Sequence, residues 1–108
     1  MDDAYVESVL AAVEAIPAGR VMAYGQVAEY VGRGGPRQVG AIMSAYGSAV
    51  PWWRVVTAAG RLPPGSERRA LGHLQAEGTP LRGSGRDVHV DMRRATWDGP
   101  SDSGQPGV

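Results

Sequence analysis

Two tryptophans stand side by side in Pro51-Trp52-Trp53-Arg54-Val55, in a chain of 108 residues that contains no cysteine. That absence decides much of the available chemistry. Thiolate is the usual strong nucleophile of proteins. An indole ring offers only an N–H donor and cannot replace it. Disulfides, thiolate metal sites and c-type haem attachment are excluded as well. His73 and His89 are sixteen residues apart with no ligand set around them, so no metal and no cofactor is expected. Gly32 to Gly35 lacks a following Lys-Ser or Lys-Thr, so it is not a phosphate-binding loop of the nucleotide-hydrolase type.

The remaining chemistry lies in the arginines. The formal net charge is zero, but all 11 basic residues are arginine. Residues 1–29 carry a net −4, residues 30–72 a net +5, and residues 73–108 a net −1. Arg33, Arg37, Arg54, Arg61, Arg68 and Arg69 make the middle basic against Glu67 alone. The guanidinium fork suits phosphates and base edges. A localised basic stretch therefore reads either as a nucleic-acid surface or as a solvated charged face.

Elements that could position these groups are legible along the chain. Val6, Val9, Leu10, Val13 and Ile16 follow helical spacing, with Asp2 or Asp3 as N-cap and Pro17 and Gly19 as the stop. Arg20 to Ala23 reads as extended. A second helix is expected over Gly25 to Val31, with Val27, Ala28 and Val31 inward and Gly32 as C-cap. A third starts near Pro36 or Arg37. Val39, Ile42, Met43 and Tyr46 form its apolar stripe, and Arg37, Gly40, Ala41 and Ser44 its small opposite face. That face suits close approach of another backbone, either a helix of this domain or an external partner. Arg54 to Thr57, a turn at Ala58-Ala59-Gly60, and Arg61-Leu62 suggest a small hairpin. Ser66 caps a fourth helix to about Ala76, with Leu71 and Leu74 inward. Val88, Val90 and Met92 alternate with polar residues as a last strand or arm. Trp97 anchors the end, and Asp98 to Val108 is expected to be a disordered tail. One domain over 1–97 is therefore expected. No apolar run reaches the roughly 18 residues of a membrane span. Asp2 and Asp3 do not form a basic signal region, so a cytoplasmic location is expected.

Four segments occur in order: Ile16-Pro17-Ala18-Gly19-Arg20-Val21, Tyr24-Gly25-Gln26-Val27-Ala28, Arg37-Gln38-Val39-Gly40, and Pro51-Trp52-Trp53-Arg54-Val55. Together, over residues 5–82, they resemble the DNA-binding domain of the O6-alkylguanine-DNA alkyltransferases. In that family the last segment reads Pro-Cys-His-Arg-Val, so Trp52 and Trp53 stand for the reactive cysteine and its histidine. The chain is identified as similar to the alkyltransferase-like members, which keep the scaffold without the nucleophile. Many full alkyltransferases carry an amino-terminal domain that has no counterpart here.

The resemblance implies a mainly α fold with a small β-hairpin, a winged helix-turn-helix of the alkyltransferase C-terminal type. It implies double-stranded DNA containing O6-alkylguanine as the partner, with hand-over to nucleotide excision repair proteins, by a monomer and without alkyl transfer. Tyr24 matches a tyrosine that meets the phosphate beside the target nucleotide. Arg37 matches an arginine finger that fills the vacated stack. Gln38, Gly40, Ala41 and Ser44 fall on the helix that enters the minor groove. The atom to be read lies inside the duplex, so the nucleotide must leave the stack before a pocket can enclose it. Tyr24, Val39, Pro51, Trp52, Trp53 and Arg54 are the candidate pocket residues. Trp53 also reads as simple packing, and Arg54 as a brace. Arg61, Arg68 and Arg69 are rivals for an arginine that faces the damaged base.

Departures from the family pattern agree with lost chemistry. Counted back from Glu77, the catalytic-loop tyrosine-serine pair falls at Pro63-Pro64, and a lysine at Ala70. The usual asparagine after the recognition helix falls at Tyr46, and the loop Gly47 to Val50 is short. Glu77 matches the acid that works with the missing histidine, and here reads as a helix-end carboxylate. The alternatives are a winged-helix regulator without lesion specificity, a cysteine-free hydrolase of alkylated DNA, and a shield that competes with a true alkyltransferase. Gly40, Ala41 and Ser44 lack the hydrogen-bonding reach that base readout by a regulator needs. A hydrolase needs an activated water, and no histidine partner for Glu77 is evident.

Overall fold

A computed structural model describes residues 2–100 of the chain. The first helix, α1, spans Asp3–Ala15, and the Asp2 carboxylate accepts from the Ala4 amide as its N-cap. Its buried face is Tyr5, Val6, Val9, Ala12 and Val13. A two-residue strand, β1 (Met22–Ala23), runs directly into α2 (Tyr24–Val31). Gln26 closes that start by accepting from the Ala23 amide at 2.7 Å. Gly32 ends α2, and α3 (Pro36–Tyr46) follows after three residues, with Pro36 in its first turn. The Gln38 side-chain oxygen accepts from the Gly35 amide at 3.0 Å, one half of a capping box.

Helices α1, α2 and α3 close one core over Val9, Val13, Ile16, Val27, Val39 and Ile42. The turn between α2 and α3 is tied to α1 by Tyr5, whose hydroxyl donates to the Arg33 carbonyl at 3.2 Å. Gly34 sits there at φ +75°, and a Cβ on it would overlap the Tyr5 hydroxyl, so no larger residue fits. Arg33 completes the clamp with an ion pair to Asp2 at 2.8 Å.

The second half is built around α4 (Glu67–Ala76) and four short strands. Strand β2 (Val55–Val56) pairs parallel with β1, Met22 opposite Val55 and Ala23 opposite Val56. Strands β3 (Leu81–Arg82) and β4 (His89–Val90) form an antiparallel hairpin, and α5 (Met92–Ala95) follows. A second core of Val21, Val56, Leu62, Ala70, Leu74, Val90 and Ala95 lies beneath them. The result is a helix-turn-helix with a hairpin wing.

Three expectations are corrected. Arg54 to Thr57 and Arg61-Leu62 form no strand ladder; Thr57 N donates to Arg61 O at 3.0 Å, and the contact stops at that turn. The turn is present, with Gly60 N donating to Thr57 O, but β2 pairs with β1 and the wing hairpin is β3–β4. Tyr46 has the phase of the buried stripe, yet it is 52% exposed because the last turn of α3 runs past the core. Ser66 occupies the cap position of α4 without a capping bond, its hydroxyl accepting from Arg69 instead. Trp97 does anchor the end: its amide donates to Val21 O at 2.8 Å and its ring meets Tyr30 at 5.8 Å. The first tail residues continue that packing, with Gly99 buried against Tyr30. From Ser101 onward the expected tail lies outside the described residues.

Candidate nucleic-acid interface and lesion cleft

An open cleft of about 1080 Å³ runs between the helix-turn-helix and the wing half. One wall carries Tyr24, Gly25, Arg37, Gly40 and Ser44 from α2 and α3. The opposite wall carries Trp52, Pro63, Pro64, Ser66 and Arg69. The floor is formed near β1 and β2 by Ala23, Thr57 and Ala58, with Met92 and Thr96 arriving from α5. Small-molecule pockets ordinarily measure about 300–1,000 Å³, so this space is ample for a nucleotide side chain.

The small face of α3 has no internal purpose. A Cβ built on Gly40 meets nothing within 4 Å, and the same holds for Gly25. Packing of another helix in this domain therefore does not explain these glycines. Ala41 and Ser44 are exposed beside Gly40. Arg37 projects from the first turn of α3, is exposed, and makes no ion pair with any described residue. A cation there opposes the helix dipole, a position that an incoming anion would relieve. Gln38 is exposed, with its oxygen held in the cap described above and its amide N–H groups left to donate. Tyr24 is half-buried, and burial pushes its phenol up. The hydroxyl therefore stays protonated and can donate at neutral pH.

Glu77 is not a helix-end bystander. Its carboxylate accepts from Arg54 Nε at 3.0 Å and Arg54 Nη2 at 2.6 Å, from the Trp53 indole N–H at 3.0 Å, and from the Gly19 amide at 3.4 Å. Burial alone would raise its pKa, but the hydrogen bonds from Arg54 and Trp53 hold it below the usual carboxylate range. Arg54 also donates to the Ile16 carbonyl at 2.7 Å, tying the end of α1 to this hub. The Trp53 ring stacks on His73, with centroids 3.8 Å apart and planes 9° apart. So a histidine does stand near Glu77, contrary to expectation. Its ring is stacked on Trp53, and none of the hydrogen bonds to Glu77 comes from it.

The hub fixes which expected residues reach the cleft. Trp53 and Arg54 are braces beside it rather than walls of it. Val39 is fully buried in the first core, and Pro51 only leads into the turn that presents Trp52; neither lines the cleft. Trp52 does, meeting Trp53 edge-on at 5.6 Å. Among the three rival arginines, Arg69 lies in the cleft, its guanidinium 5.2 Å from the Trp52 ring centroid. Arg61 and Arg68 line a separate, smaller cleft with Arg86. Sequence reasoning missed Met92 and Thr96, which reach the floor only because β4 returns the chain to Val21. Among the described residues no group of three or more His, Asp or Glu is placed to hold a metal ion, and no helix is long and apolar enough to cross a membrane.

Comparison with known proteins bears directly on this architecture. The family model described as the DNA-binding domain of 6-O-methylguanine DNA methyltransferase matches residues 4–79. The DNA base-flipping protein of Escherichia coli is 36% identical over 103 residues, covering 90% of this chain and 77% of that protein. The DNA base-flipping protein of Vibrio parahaemolyticus is 30% identical over 100 residues, covering 88% and 97%. The structure of S. pombe Atl1 in complex with damaged DNA containing O6-carboxymethylguanine superposes with a TM-score of 0.78 at 30% identity, over 90% of this chain and 97% of that one. The O6-methylguanine methyltransferase of Mycobacterium tuberculosis superposes with a TM-score of 0.60 at 30% identity, over 68% of this chain and 48% of that one. The chain belongs to the family of the 6-O-methylguanine DNA methyltransferase DNA-binding domain, and stands with its alkyltransferase-like members.

Proposed function

We propose that this protein binds O6-alkylguanine in double-stranded DNA, holds the damaged nucleotide outside the helix, and leaves the alkyl group in place. The carrying observation is the cleft. It joins an exposed arginine and an externally smooth helix face on one side to Trp52 and Arg69 on the other. Helix α3 enters the minor groove, where Gly40 and Ala41 allow close approach and Ser44 and Gln38 offer short donors. Arg37 takes the space of the departed base and bonds to its orphaned partner. Tyr24 donates to the phosphate beside the rotated nucleotide. Unstacking costs a few kcal/mol, less at a weakly paired alkylated base.

Trp52 stands where the family keeps its nucleophile and supplies an aromatic wall in place of sulfur. Arg69, above that ring, faces the base. Trp53 takes over the N–H donation to Glu77 that a histidine would make. With no cysteine in the chain, the lesion is bound rather than repaired. A bound, bent duplex then marks the site for nucleotide excision repair. In cells lacking excision repair, loss of this protein should add no further sensitivity to alkylating agents; a strictly additive effect would separate the two.

The direct test is Arg37→Ala. Its side chain is exposed and makes no ion pair with any described residue, so thermal stability should hold. Lesion binding should fall by about 1–3 kcal/mol, roughly tenfold to a hundredfold. Unchanged affinity would remove the arginine finger from the account.

A further inference from the structure

Met92 lies beyond residue 79, where the family match ends, yet it lines the cleft while packing, half-buried, against the second core. We infer that Met92 is the specificity-determining residue of the cleft, the wall against which the O6 substituent of the extruded base lies. The inference rests on the lesion-binding reading and extends it to the choice of adduct: apolar substituents, sorted by size.

The backbone around Met92 is held from several sides. The Asp91 amide donates to Pro80 O at 2.9 Å, and Asp91 O accepts from Ala95 N at 2.9 Å. Thr96 N and the Thr96 hydroxyl both donate to Met92 O. Val21 N donates to Ala95 O at 3.0 Å, pinning α5 to the chain that leads into β1. Met92 therefore enters the cleft from a fixed backbone, while its own unbranched side chain retains three rotatable bonds. A wall of that kind adapts its tip without moving its base.

The chemistry around it favours an apolar guest. Of the two hydroxyls on the floor, that of Thr96 donates to Met92 O, and that of Thr57 accepts from the Arg61 amide at 2.9 Å. Ala58, Pro63, Pro64 and Trp52 add apolar surface to the same cleft. The cleft arginines, Arg37 and Arg69, come from α3 and α4 rather than from this floor. Apart from the Thr57 O–H, a polar base edge finds little to bond at the Met92 end, whereas an alkyl or benzyl group is desolvated there. Thioether and aromatic groups also attract one another.

The test uses the full chain and three fluorescent duplexes, identical except for guanine, O6-methylguanine or O6-benzylguanine at one position. Met92→Trp fills the wall and should weaken O6-benzylguanine binding by about tenfold or more relative to O6-methylguanine. Met92→Ala opens it and should weaken O6-methylguanine by about tenfold relative to O6-benzylguanine. Met92→Leu, close in volume, should leave both within about threefold. If the tryptophan variant does not fold, the alanine variant carries the test alone. Equal losses for both lesions, or no change for either, would overturn the inference and make Met92 a packing residue. Failure of the underlying reading is seen separately, in the unsubstituted protein, as equal binding to damaged and undamaged duplex.

Discussion

Glu77→Gln probes the hub that presents Trp52 to the cleft. Glutamine keeps the volume of glutamate but turns one acceptor oxygen into a donor. That donor would face Arg54 or Trp53, both of which already donate. Arg54 would lose its counter-charge while remaining tied to Ile16 O. Removing one member of a buried ion pair costs about 3–5 kcal/mol. The Arg54 and Glu77 side chains keep 15% and 14% of their exposure, so water partly compensates the orphaned guanidinium and the lower end, about 3 kcal/mol, applies. For a domain of this size each kcal/mol moves Tm by about 4–8 °C, so the variant should melt about 12–24 °C lower. The assay is paired thermal and urea unfolding of both proteins. A loss below about 1 kcal/mol, the level of an exposed surface pair, would refute the hub. The pH dependence carries a second signature. The folded pKa of Glu77 lies below its unfolded value. Its contribution is therefore complete above the unfolded pKa and is lost as pH falls through the folded one. The gap between wild type and Glu77→Gln should close in acid and open towards neutrality; a gap independent of pH would contradict the charge assignment.

Other substitutions separate fold from function. Gly40→Ala meets empty space, so it should raise helix stability by up to about 1 kcal/mol while weakening DNA binding; equal DNA affinity would mean that the smooth face is not used. Gly60→Ala should be severely destabilising, because φ is +85° and the new Cβ would overlap the Val90 carbonyl beside Met92; a melting temperature within a few degrees of wild type would show that the turn relaxes freely. Trp52→Cys alone should not restore alkyl transfer if, as proposed, Trp53 and Ala70 stand at the positions of the family's activating histidine and lysine; transfer of label from an alkylated duplex to that variant would contradict this.

The helices were legible because their signals are local. Val6, Val9, Val13 and Ile16 mark a single buried stripe; of the two caps open to it, Asp2 or Asp3, Asp2 serves, and of the two starts for α3, Pro36 or Arg37, Pro36 is the first residue. The strands were not, because Val55 and Val56 choose Met22 and Ala23 over the nearby Arg61-Leu62 segment through tertiary packing. Tyr46 shows that phase alone does not bury a residue when its helix outruns the core. Arg68 and Arg69 make the same point for the site. Consecutive residues on α4 point about 100° apart, and only the direction of the cleft decides that Arg69 lines it while Arg68 faces the smaller cleft. Glu77 and His73 lie one helical turn apart, so their proximity was readable. Their union through Trp53 was not, since it depends on how Trp52–Arg54 folds back onto α4.

The central claim is lesion recognition without repair, and one titration addresses it. Duplex DNA with a single O6-methylguanine is titrated beside the same duplex with guanine, and the damaged base is recovered and analysed afterwards. The account predicts markedly tighter binding to the damaged duplex with the methyl group still on the base. Equal affinity for the two duplexes would contradict lesion recognition, and a demethylated base would contradict the absence of chemistry.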